Sequence, residues 1–303
     1  MPGSLMLLDS AGLYFRAFYG VPETVTAPDG TPVNAVRGFF DMVATLVTRF
    51  RPERLVACMD ADWRPAFRVE ALPSYKAHRV AADGGEESPD TLTPQVPIIE
   101  DTLDALGVAR VGIAGYEADD VIGTLTARES GPVDVVTGDR DLIQLVNDDG
   151  PVRVLYTARG VRNLAILDEA AVEEKYGIPG RTYGEFAVLR GDPSDGLPGV
   201  AGIGDKTAAA LINRFGSVAE LLAAVDAGQV DGLPAGARLK LAAARDYLAV
   251  APLVVRVAPD APLPDFDDAL PASPADPPGL VALCDRWSLD SSVERVLKAF
   301  EVA

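Results

Sequence analysis

Short apolar runs alternate with amphipathic segments over the first two-thirds of the chain, and this alternation limits the possible fold more than any other feature. Apolar residues at helical spacing in 36–50, 94–107 and 117–129 predict helices between the runs. A strand–helix–strand order predicts an α/β fold with a mostly parallel central sheet, flanking helices and right-handed crossovers. The predicted strands are LMLLDS, RLVACMD, ARVGIAG (109–115), VDVVTGD and VRVLYTA (152–158).

Three later or intervening regions depart from this alternation. Residues 61–93 combine aromatic and basic residues with a polar, turn-forming stretch, which indicates a partly helical excursion above the strand ends. After about residue 185, short helices joined by Gly-rich turns predominate. Residues 258–278 hold seven prolines and five aspartates and no basic residue, which predicts an irregular acidic linker before two terminal helices. The expected division is an α/β domain (1–185), a helical subdomain (186–257), and a linker with terminal helices (258–303).

Nine carboxylates stand in short clusters, and almost every cluster follows a predicted strand. Parallel α/β sheets bind ligands at the carboxyl ends of their strands, so these side chains could converge on one small volume. Crowded like charges raise each other's pKa, and Mg²⁺ or Mn²⁺ with oxygen ligands would relieve that repulsion. Two such ions about 4 Å apart suit phosphoryl transfer. The nine are Asp9, Asp60, Glu117, Asp119, Asp120, Asp139, Asp141, Asp192 and Asp195.

A structural explanation also exists for each of these acids taken alone. Aspartates at strand ends form turns or cap helices, and the acids of residues 117–120 would suit the first turn of a helix. Asp192 and Asp195 could form an Asx-type turn. Five clusters in the same structural position favour the shared metal site over these separate explanations.

A glycine-rich segment, GVAGIGDKT at 199–207, opens a predicted helix. Its G-x-x-G-x-G spacing lets the backbone approach a phosphate, with helix N–H groups and the Lys206 charge directed at it. The alternative is a turn that serves only tight helix packing. The segment follows a helical stretch rather than a strand, which argues against a dinucleotide-binding fold.

The segment Tyr75–Arg79, with Arg68 upstream, is basic and contains an aromatic residue. An aromatic ring to stack a base and cations for phosphate are what single-strand binding requires. An ordinary solvated basic helix would carry the same residues. His78 is expected to face solvent rather than to act in catalysis.

The formal net charge of −18 at first argues against a nucleic-acid partner. Residues 1–80 carry nine Lys/Arg against eight Asp/Glu, and residues 199–257 carry six Lys/Arg against five Asp/Glu. The excess acid therefore lies outside these two ranges. The nine clustered carboxylates account for half of the deficit. Local fields decide where DNA docks, so the total does not exclude DNA.

Several other classes of protein are excluded by what the sequence lacks. No apolar run reaches the roughly 18 residues that span a bilayer, and no signal peptide is expected at the N-terminus. Cys58 and Cys284 have no metal-like spacing and are expected to be buried thiols in a reducing cytoplasm. The single histidine, His78, lacks a nearby nucleophile motif, which argues against a catalytic triad or a His-based zinc site.

In combination, these motifs resemble the bacterial 5′-nuclease (flap endonuclease) superfamily, in particular the 5′–3′ exonuclease domain at the N-terminus of DNA polymerase I and its free-standing relatives. The match spans about residues 5–250. The resemblance implies a PIN-like 5′-nuclease fold with a helical arch (about 64–93) and a C-terminal helix–hairpin–helix (H3TH) subdomain. The matching motifs are LLDSAGLYFRAF, MDADWRPAFR, SYKAHR, GYEADDVIGTL, TGDRDLIQLV and RGDPSDGLPGVAGIGDKTA.

The resemblance also implies roles for individual residues. One metal ion would be surrounded by Asp9, Asp60, Glu117 and Asp119, and a second mainly by Asp139, Asp141 and Asp195, with Asp120 and Asp192 farther out. The scissile phosphate would be served by Arg16, Arg68, Lys76 and Arg79, in or below the arch, with Tyr75 beside the single strand. Duplex DNA would be gripped by Gly202, Gly204, Lys206 and Thr207, around a K⁺ ion held by backbone carbonyls.

Two positions depart from the family pattern. Gly196 stands where relatives often carry Asn, which predicts a looser turn. The arch top, ADGGEESPD, is strongly acidic, which predicts a small contribution to DNA binding.

The predicted function is a structure-specific 5′ nuclease of DNA replication and repair. It would act as a 5′-flap endonuclease and a 5′–3′ exonuclease on DNA with a 5′ flap or a 5′ end next to duplex, and two-metal hydrolysis would leave a 5′-phosphate and a 3′-hydroxyl. We expect a free-standing monomer in the cytoplasm, associated with the nucleoid, with no membrane partner. One rival is a related metal-dependent ribonuclease, which would not require the helix–hairpin–helix segment. The other is a catalytically inactive DNA-binding module, which would lack some of the nine acids. A haloacid-type phosphatase requires D-x-D-x-T, and DSAGL does not match that motif.

Overall fold

The computed structural model describes residues 3–82, 84–229, 233 and 236–303. Asp83 in the predicted arch top, and residues 230–232, 234 and 235 in the predicted DNA-binding subdomain, lie outside the described residues. Within them, the strands are β1 Leu5–Asp9, β2 Arg54–Cys58, β3 Ala109–Val111, β4 Val133–Thr137, β5 Val152–Tyr156 and β6 Ala165–Leu167.

These strands form one sheet in the order β3-β2-β1-β4-β5-β6. Strands β1 to β5 run parallel, and β6 adds an antiparallel edge. The chain leaves β1 toward β2 on one side and returns to β4 on the other, so the strand order reverses between β1 and β4. The carboxyl ends at such a switch point form the usual ligand crevice of an open α/β sheet.

Helices cover both faces of the sheet and form the C-terminal third of the chain. Those within the described residues are α1 Ser10–Gly20, α2 Asn34–Phe50, α3 Ala66–Ala71, α4 Gln95–Leu106, α5 Ala118–Arg128, α6 Glu169–Tyr176, α7 Tyr183–Arg190, α8 Asp205–Phe215, α9 Val218–Asp226, α10 Ala237–Ala243, α11 Arg245–Val255, α12 Pro277–Trp287 and α13 Asp290–Val302. Short 3₁₀ helices span Ala77–Arg79, Asp141–Leu145, Val161–Asn163, Gly180–Thr182 and Pro193–Asp195.

The core has two halves because successive strand residues point to opposite faces. In the fully buried β1, Leu7 belongs to the half that continues into α5, α7, α8 and α11, whereas Met6 and Leu8 belong to the half covered by α2 and α4. Helices α12 and α13 complete the second half, and α13 packs along α2.

The five predicted strands and the predicted helices are confirmed. Four further elements, α1, β6, α6 and α7, were not predicted; β6 has only three residues, two of them exposed. Among its described residues, the segment expected to form a helical arch is helical only in α3 and Ala77–Arg79, followed by an antiparallel bridge between Val80 and Glu86.

The irregular linker is also confirmed within 258–276, and it is held to the α/β domain by the backbone. Leu55 N donates to Asp268 O, and Leu270 N donates to Glu53 O, at 2.9 and 3.0 Å. These bonds place the terminal helices against α2 and α4.

No single helix among the described residues is long and apolar enough to cross a membrane, although the bent pair α8 and α9 meets the length and composition test when the two are taken together.

Candidate metal centre and nucleic-acid interface

The ends of β1 and β2 each supply one carboxylate to the switch point. Asp9 closes β1 and caps α1: its Oδ1 accepts from Gly12 N at 2.8 Å, and its Oδ2 accepts from Thr137 Oγ1 at 2.7 Å. Asp60 follows β2, and its Oδ1 accepts from Ala118 N at 2.7 Å. Helix N-termini leave N–H groups free for such acceptors, so both carboxylates are held by local backbone geometry.

The segment after β4 supplies two more carboxylates, Asp139 and Asp141. Asp139 N donates to Thr137 Oγ1 at 2.8 Å, and Asp139 Oδ1 accepts from Asp141 N at 2.9 Å. Asp141 is buried at the start of a 3₁₀ helix, and its Oδ1 has no hydrogen-bond partner among the described residues. A buried, unsatisfied carboxylate oxygen is costly, which favours a cation close to it.

The three acids at the start of α5 have different environments. Asp120 is fully buried and receives both Arg68 guanidinium nitrogens, at 2.6 and 2.7 Å, and Ala258 N at 2.8 Å. Glu117 accepts from Arg68 at 2.8 Å and from Lys76 Nζ. Asp119 is only partly buried and lines the cavity at the switch point.

The turn after α7 carries the last two acids. Asp192 is buried and ion-paired with Arg140 and Arg190, each at 3.2 Å. Asp195 lies 3.4 Å from the Arg79 guanidinium, a longer contact.

The loose turn expected at Gly196 is wrong. Gly196 has φ of 73°, and an added Cβ would lie 2.1 Å from the Ser74 carbonyl oxygen. Lys76 N donates to Asp195 O at 3.0 Å, and Ser74 Oγ donates to Gly196 O at 2.9 Å. The absence of a side chain therefore lets residues 74–76 lie directly on the turn, which positions Lys76 next to the acids.

A cavity of about 290 Å³ opens at the switch point. Its walls carry six acids from five parts of the chain, three cations and two aromatic rings. The charged and aromatic residues that line it are Asp9, Asp60, Asp119, Asp139, Glu86, Glu117, Arg16, Lys76, Arg79, Phe15 and Trp63.

Burial and neighbouring carboxylates raise the pKa values of several acids at this site. Burial, followed by repulsion from Asp9 and Glu86, raises the pKa of Asp60 to about 6, although its side chain stays open to solvent in the cleft. Burial and then Asp139 raise the pKa of Asp119 well above its ordinary value. The same causes act on Asp141. Crowded acids with raised pKa values mark a candidate functional site.

The donor set fits hard divalent cations, because every candidate ligand is a carboxylate oxygen. The orphaned Oδ1 of Asp141, two residues after the cavity-lining Asp139, is an additional acceptor. No three acidic, histidine or cysteine side chains in the described part of the chain converge on one coordination point as they stand. Binding would therefore require side chains such as Asp60 and Asp139, which are open to the cleft, to change rotamer.

The glycine hairpin lies between α7 and α8, with Val200 and Ile203 buried and Gly202 and Gly204 exposed. Gly204 caps α8 and has open space around it, so a ligand can reach the helix N-terminus. Thr207 N donates to Gly204 O at 3.0 Å. Lys206 is exposed and has no carboxylate partner among the described residues.

Comparison with known proteins matches both halves of the chain. The family model for the 5′-3′ exonuclease N-terminal resolvase-like domain covers residues 4–177, and that for its C-terminal SAM fold covers 178–277. The chain belongs to the 5′-3′ exonuclease family. It is therefore a nuclease, and so a hydrolase.

Among curated relatives, a 5′-3′ exonuclease of Streptomyces coelicolor is 62% identical over 96% of this chain and 98% of its own length. A 5′-3′ exonuclease of Mycobacterium tuberculosis is 51% identical over 99% of both. A solved bacteriophage T5 flap endonuclease, in a pseudo-product complex with DNA and metal ions, matches with a TM-score of 0.63 at 19% identity, covering 98% of this chain and 99% of its own. That likeness shows the fold.

Two residues in this 5′-3′ exonuclease family member lie elsewhere than the sequence indicated. The Arg68 guanidinium is buried against Asp120 and Glu117 and does not line the cavity. Burial would lower the Arg68 pKa, but these carboxylates outweigh that effect and raise it. Tyr75 is 3% exposed, and its hydroxyl donates to Glu117 at 2.7 Å. The base-stacking role assigned to Tyr75 is wrong in this structure because its ring presents no free face.

The other predicted cations face the cavity. Arg16, Lys76 and Arg79 all line it, whereas His78 is exposed outside it, as expected. Burial would lower the Lys76 pKa, but Glu117 and Asp195 outweigh burial and keep it above its ordinary value. Arg16 has no carboxylate partner among the described residues, and its Nε is buried without an acceptor.

Sequence reasoning missed three contributors. Thr137 joins the ends of β1 and β4 through Asp9 and Asp139. Lys240 Nζ donates to Gly202 O at 2.7 Å, which ties α10 to the hairpin. Trp63 lines the cavity. A tryptophan three residues after a strand-end aspartate was a visible signal, whereas the Lys240 contact depends on tertiary packing.

Proposed function

We propose that this nuclease is a structure-specific 5′ nuclease, which hydrolyses DNA phosphodiesters next to a 5′ single-stranded flap or 5′ end. One observation carries the proposal: carboxylates that have no ion-pair partner among the described residues line one cavity with three cations at the switch point of the sheet. Such a cavity offers sites both for divalent ions and for a phosphate. Family membership supports the reaction class.

We propose that Mg²⁺ or Mn²⁺ binds in two positions. The inner ligands would be Asp9, Asp60, Asp119 and Glu117 for one ion, and Asp139, Asp141 and Asp195 for the other, with Asp120 and Asp192 behind them. When bound, such ions lower the pKa of a coordinated water and neutralise charge on the phosphate. The T5 protein of the same fold, crystallised with DNA and metal ions, supports the binding of metal but not the choice of individual ligands.

The cations of the chain itself would hold the substrate phosphate. Arg16 is the strongest candidate, because its guanidinium is not committed to a carboxylate in the described structure. Lys76 and Arg79 stand beside it on the segment fixed by Gly196. Arg68 acts instead by neutralising the buried Asp120 and Glu117, which positions the start of α5 beneath the site.

The hairpin and the N-terminus of α8 would bind duplex backbone. Open space at Gly204 and the free Lys206 charge support this role, since backbone N–H groups and a lysine are suited to phosphate. A K⁺ ion at the hairpin stays a prediction. Lys240 Nζ donates to the Gly202 carbonyl, and its positive charge would oppose a K⁺ ion at that oxygen.

The division of labour follows the expected domains, with catalysis in residues 1–185 and duplex binding in 186–257. The monomeric state, the cytoplasmic and nucleoid-associated location, and the role in replication and repair also stay predictions.

The test is cleavage of a labelled 5′-flap DNA in Mg²⁺, with EDTA, a 3′-flap and a blunt duplex as controls. The expected products carry a 5′-phosphate and a 3′-hydroxyl and appear only with metal and a free 5′ end. Asp285→Asn, an exposed acid on α12, is the matched charge control and should cleave normally. Equal cleavage of 3′ and 5′ flaps, or full activity in EDTA, would contradict the proposal.

A further inference from the structure

Trp63 is a large aromatic residue in the wall of the acidic cavity. It lies in the turn between β2 and α3, three residues after Asp60, and lines the cavity together with Asp60 and Lys76. Its side chain is only partly buried. A large, mostly apolar side chain is unusual in the wall of a cavity lined mainly by charged groups.

Core packing does not explain this placement. Trp63 belongs to none of the hydrophobic clusters of the described structure, stacks on no other ring there, and its indole N–H has no hydrogen-bond partner there. Phe15, the other aromatic residue of the cavity, packs against the cluster of Phe18, Ala35 and Leu92. Trp287 packs against the core and lies 4.4 Å from the Arg286 guanidinium. Trp63 therefore makes little contribution to the core.

The backbone on both sides of Trp63 is nevertheless fixed. Asp62 N donates to Tyr116 O at 3.2 Å. On the other side, Arg64 N donates to Asp62 Oδ1 at 3.1 Å. The Arg64 guanidinium donates to Tyr75 O at 2.6 Å and to Pro73 O at 2.9 Å. A free side chain on an anchored backbone has the properties of a preorganised binding residue.

We propose that Trp63 stacks on the nucleobase adjacent to the scissile phosphate. This inference rests on the proposed function and extends it, because the site would then recognise a nucleotide unit rather than a phosphate alone. Every base has a π-face, so such stacking tolerates any sequence. The acids and cations of the cavity account for metal and phosphate, and the indole is the uncharged planar group beside them.

The first test uses fluorescence. Trp63 and Trp287 are the two tryptophans of the chain, so Trp287→Phe leaves Trp63 as the only reporter. A 5′-flap DNA added in Ca²⁺, which replaces Mg²⁺ to prevent turnover, should quench this signal strongly. The same DNA with an abasic nucleotide next to the scissile phosphate should quench it much less. Equal quenching by both would overturn the proposal.

The second test is a double-mutant cycle in which one change is made in the protein and the other in the DNA substrate. Trp63→Ala should lower kcat/KM on intact flap DNA by about 5- to 100-fold, the range for loss of one stacked base. The abasic flap should lower wild-type kcat/KM to a similar extent. The two losses should not add when combined, since each removes the same contact. Trp63→Phe should recover part of the loss on intact DNA only.

The outcomes separate this proposal from the function it rests on. Failure of the wild-type protein to cut any flap would refute the proposed function, whereas normal cutting by Trp63→Ala would refute only the stacking. Additive losses in the cycle would show that Trp63 acts on protein packing instead. The abasic measurement uses wild-type protein, so it decides the question even where Trp63→Ala unfolds.

Discussion

The nine clustered carboxylates fall into two groups that differ in their counter-charges. Asp120, Glu117 and Asp192 each have an arginine or lysine of the protein within ion-pair distance, and Asp195 has a longer contact to Arg79. The second group has no cationic partner among the described residues: Asp9, Asp60, Asp119, Asp139 and Asp141.

The difference assigns separate work to the two groups. The paired acids fix the start of α5 and the turn after α7, and their charge is neutralised within the fold. The unpaired acids lie at the ends of β1, β2 and β4 and at the start of α5, and none of them has an ion-pair partner among the described residues. The positions of a few arginines and of Lys76 thus separate acids that have a counter-charge in the described structure from acids that have none, and the first group includes two proposed metal ligands, Glu117 and Asp195.

The largest expected effect is on the unpaired group. Asp139→Asn or Asp141→Asn should reduce flap cleavage by about 10³-fold or more, beyond the loss of a single electrostatic donor, because each removes a metal-ligand charge. Flap-DNA binding in Ca²⁺ should stay within a few-fold. Single-turnover rates at saturating Mg²⁺ measure the first quantity, and near-wild-type turnover in both variants would remove the distinction between the groups.

The paired group should respond in stability instead. Asp120→Asn leaves the buried Arg68 guanidinium short of a counter-charge, and breaking a buried pair in this way costs about 3–5 kcal/mol. Denaturant unfolding measures the loss. The control is Asp226→Asn, which breaks an exposed arginine pair with Arg245 and should change stability little. Equal losses in both variants would contradict a structural role specific to Asp120.

The sequence predicts more of the fold than of the contacts within the site. The order of strands and helices follows from hydrophobic periodicity, and the acids at the carboxyl ends of β1, β2 and β4 follow from it directly. Arg68 was identified as functional, but the sequence could not indicate that its guanidinium points inward to Asp120. That direction is set by α5, α11 and the linker, which meet only in the folded chain.

The local sequence also misled at two positions. Tyr75 lies in a basic segment typical of single-strand binding, yet its ring is buried because residues 74–76 pack onto the Asp195 turn. Gly196 predicted a loose turn, yet its lack of a side chain permits residues 74–76 to pack onto that turn. Both errors arise from one long-range contact that periodicity cannot reveal.

Lys76 tests the comparison from the other direction, because it is the cation that pairs with Glu117. Lys76→Ala should lower the single-turnover rate by about 10²-fold, in the range of losing one electrostatic donor, with modest change in DNA affinity. It should also release Glu117, so Mg²⁺ should bind more tightly. Lys298→Ala, whose partner Glu294 lies on the same remote helix, is the control. Loss of affinity alone would contradict the assigned role.

The pH dependence of stability should reveal the unpaired acids directly. An acid whose pKa is higher in the folded state binds more protons there, so stability falls as pH rises between the unfolded and folded pKa values. For Asp60 these are 3.8 and about 6. In EDTA, the melting temperature should therefore fall between pH 4 and 6, and Mg²⁺ should raise it most above pH 6. A metal effect that is equal at pH 4.5 and 7 would contradict binding of the metal by these unpaired acids.

The smallest expected effect extends the comparison to unpaired cations. Lys206 is exposed at the start of α8 with no carboxylate partner in the described structure, so we expect it to contact duplex phosphate equally in ground and transition states. Lys206→Ala should weaken flap-DNA binding several-fold and reduce the slope of log affinity against log salt by about 0.9, the value for one phosphate contact. Turnover at saturation should not change. Arg245 lies in the same helical region but is paired with Asp226, so Arg245→Ala should change the slope much less. Titrations over a range of salt concentrations in Ca²⁺ compare the two variants, and equal slopes would show that pairing does not predict which charges meet the substrate.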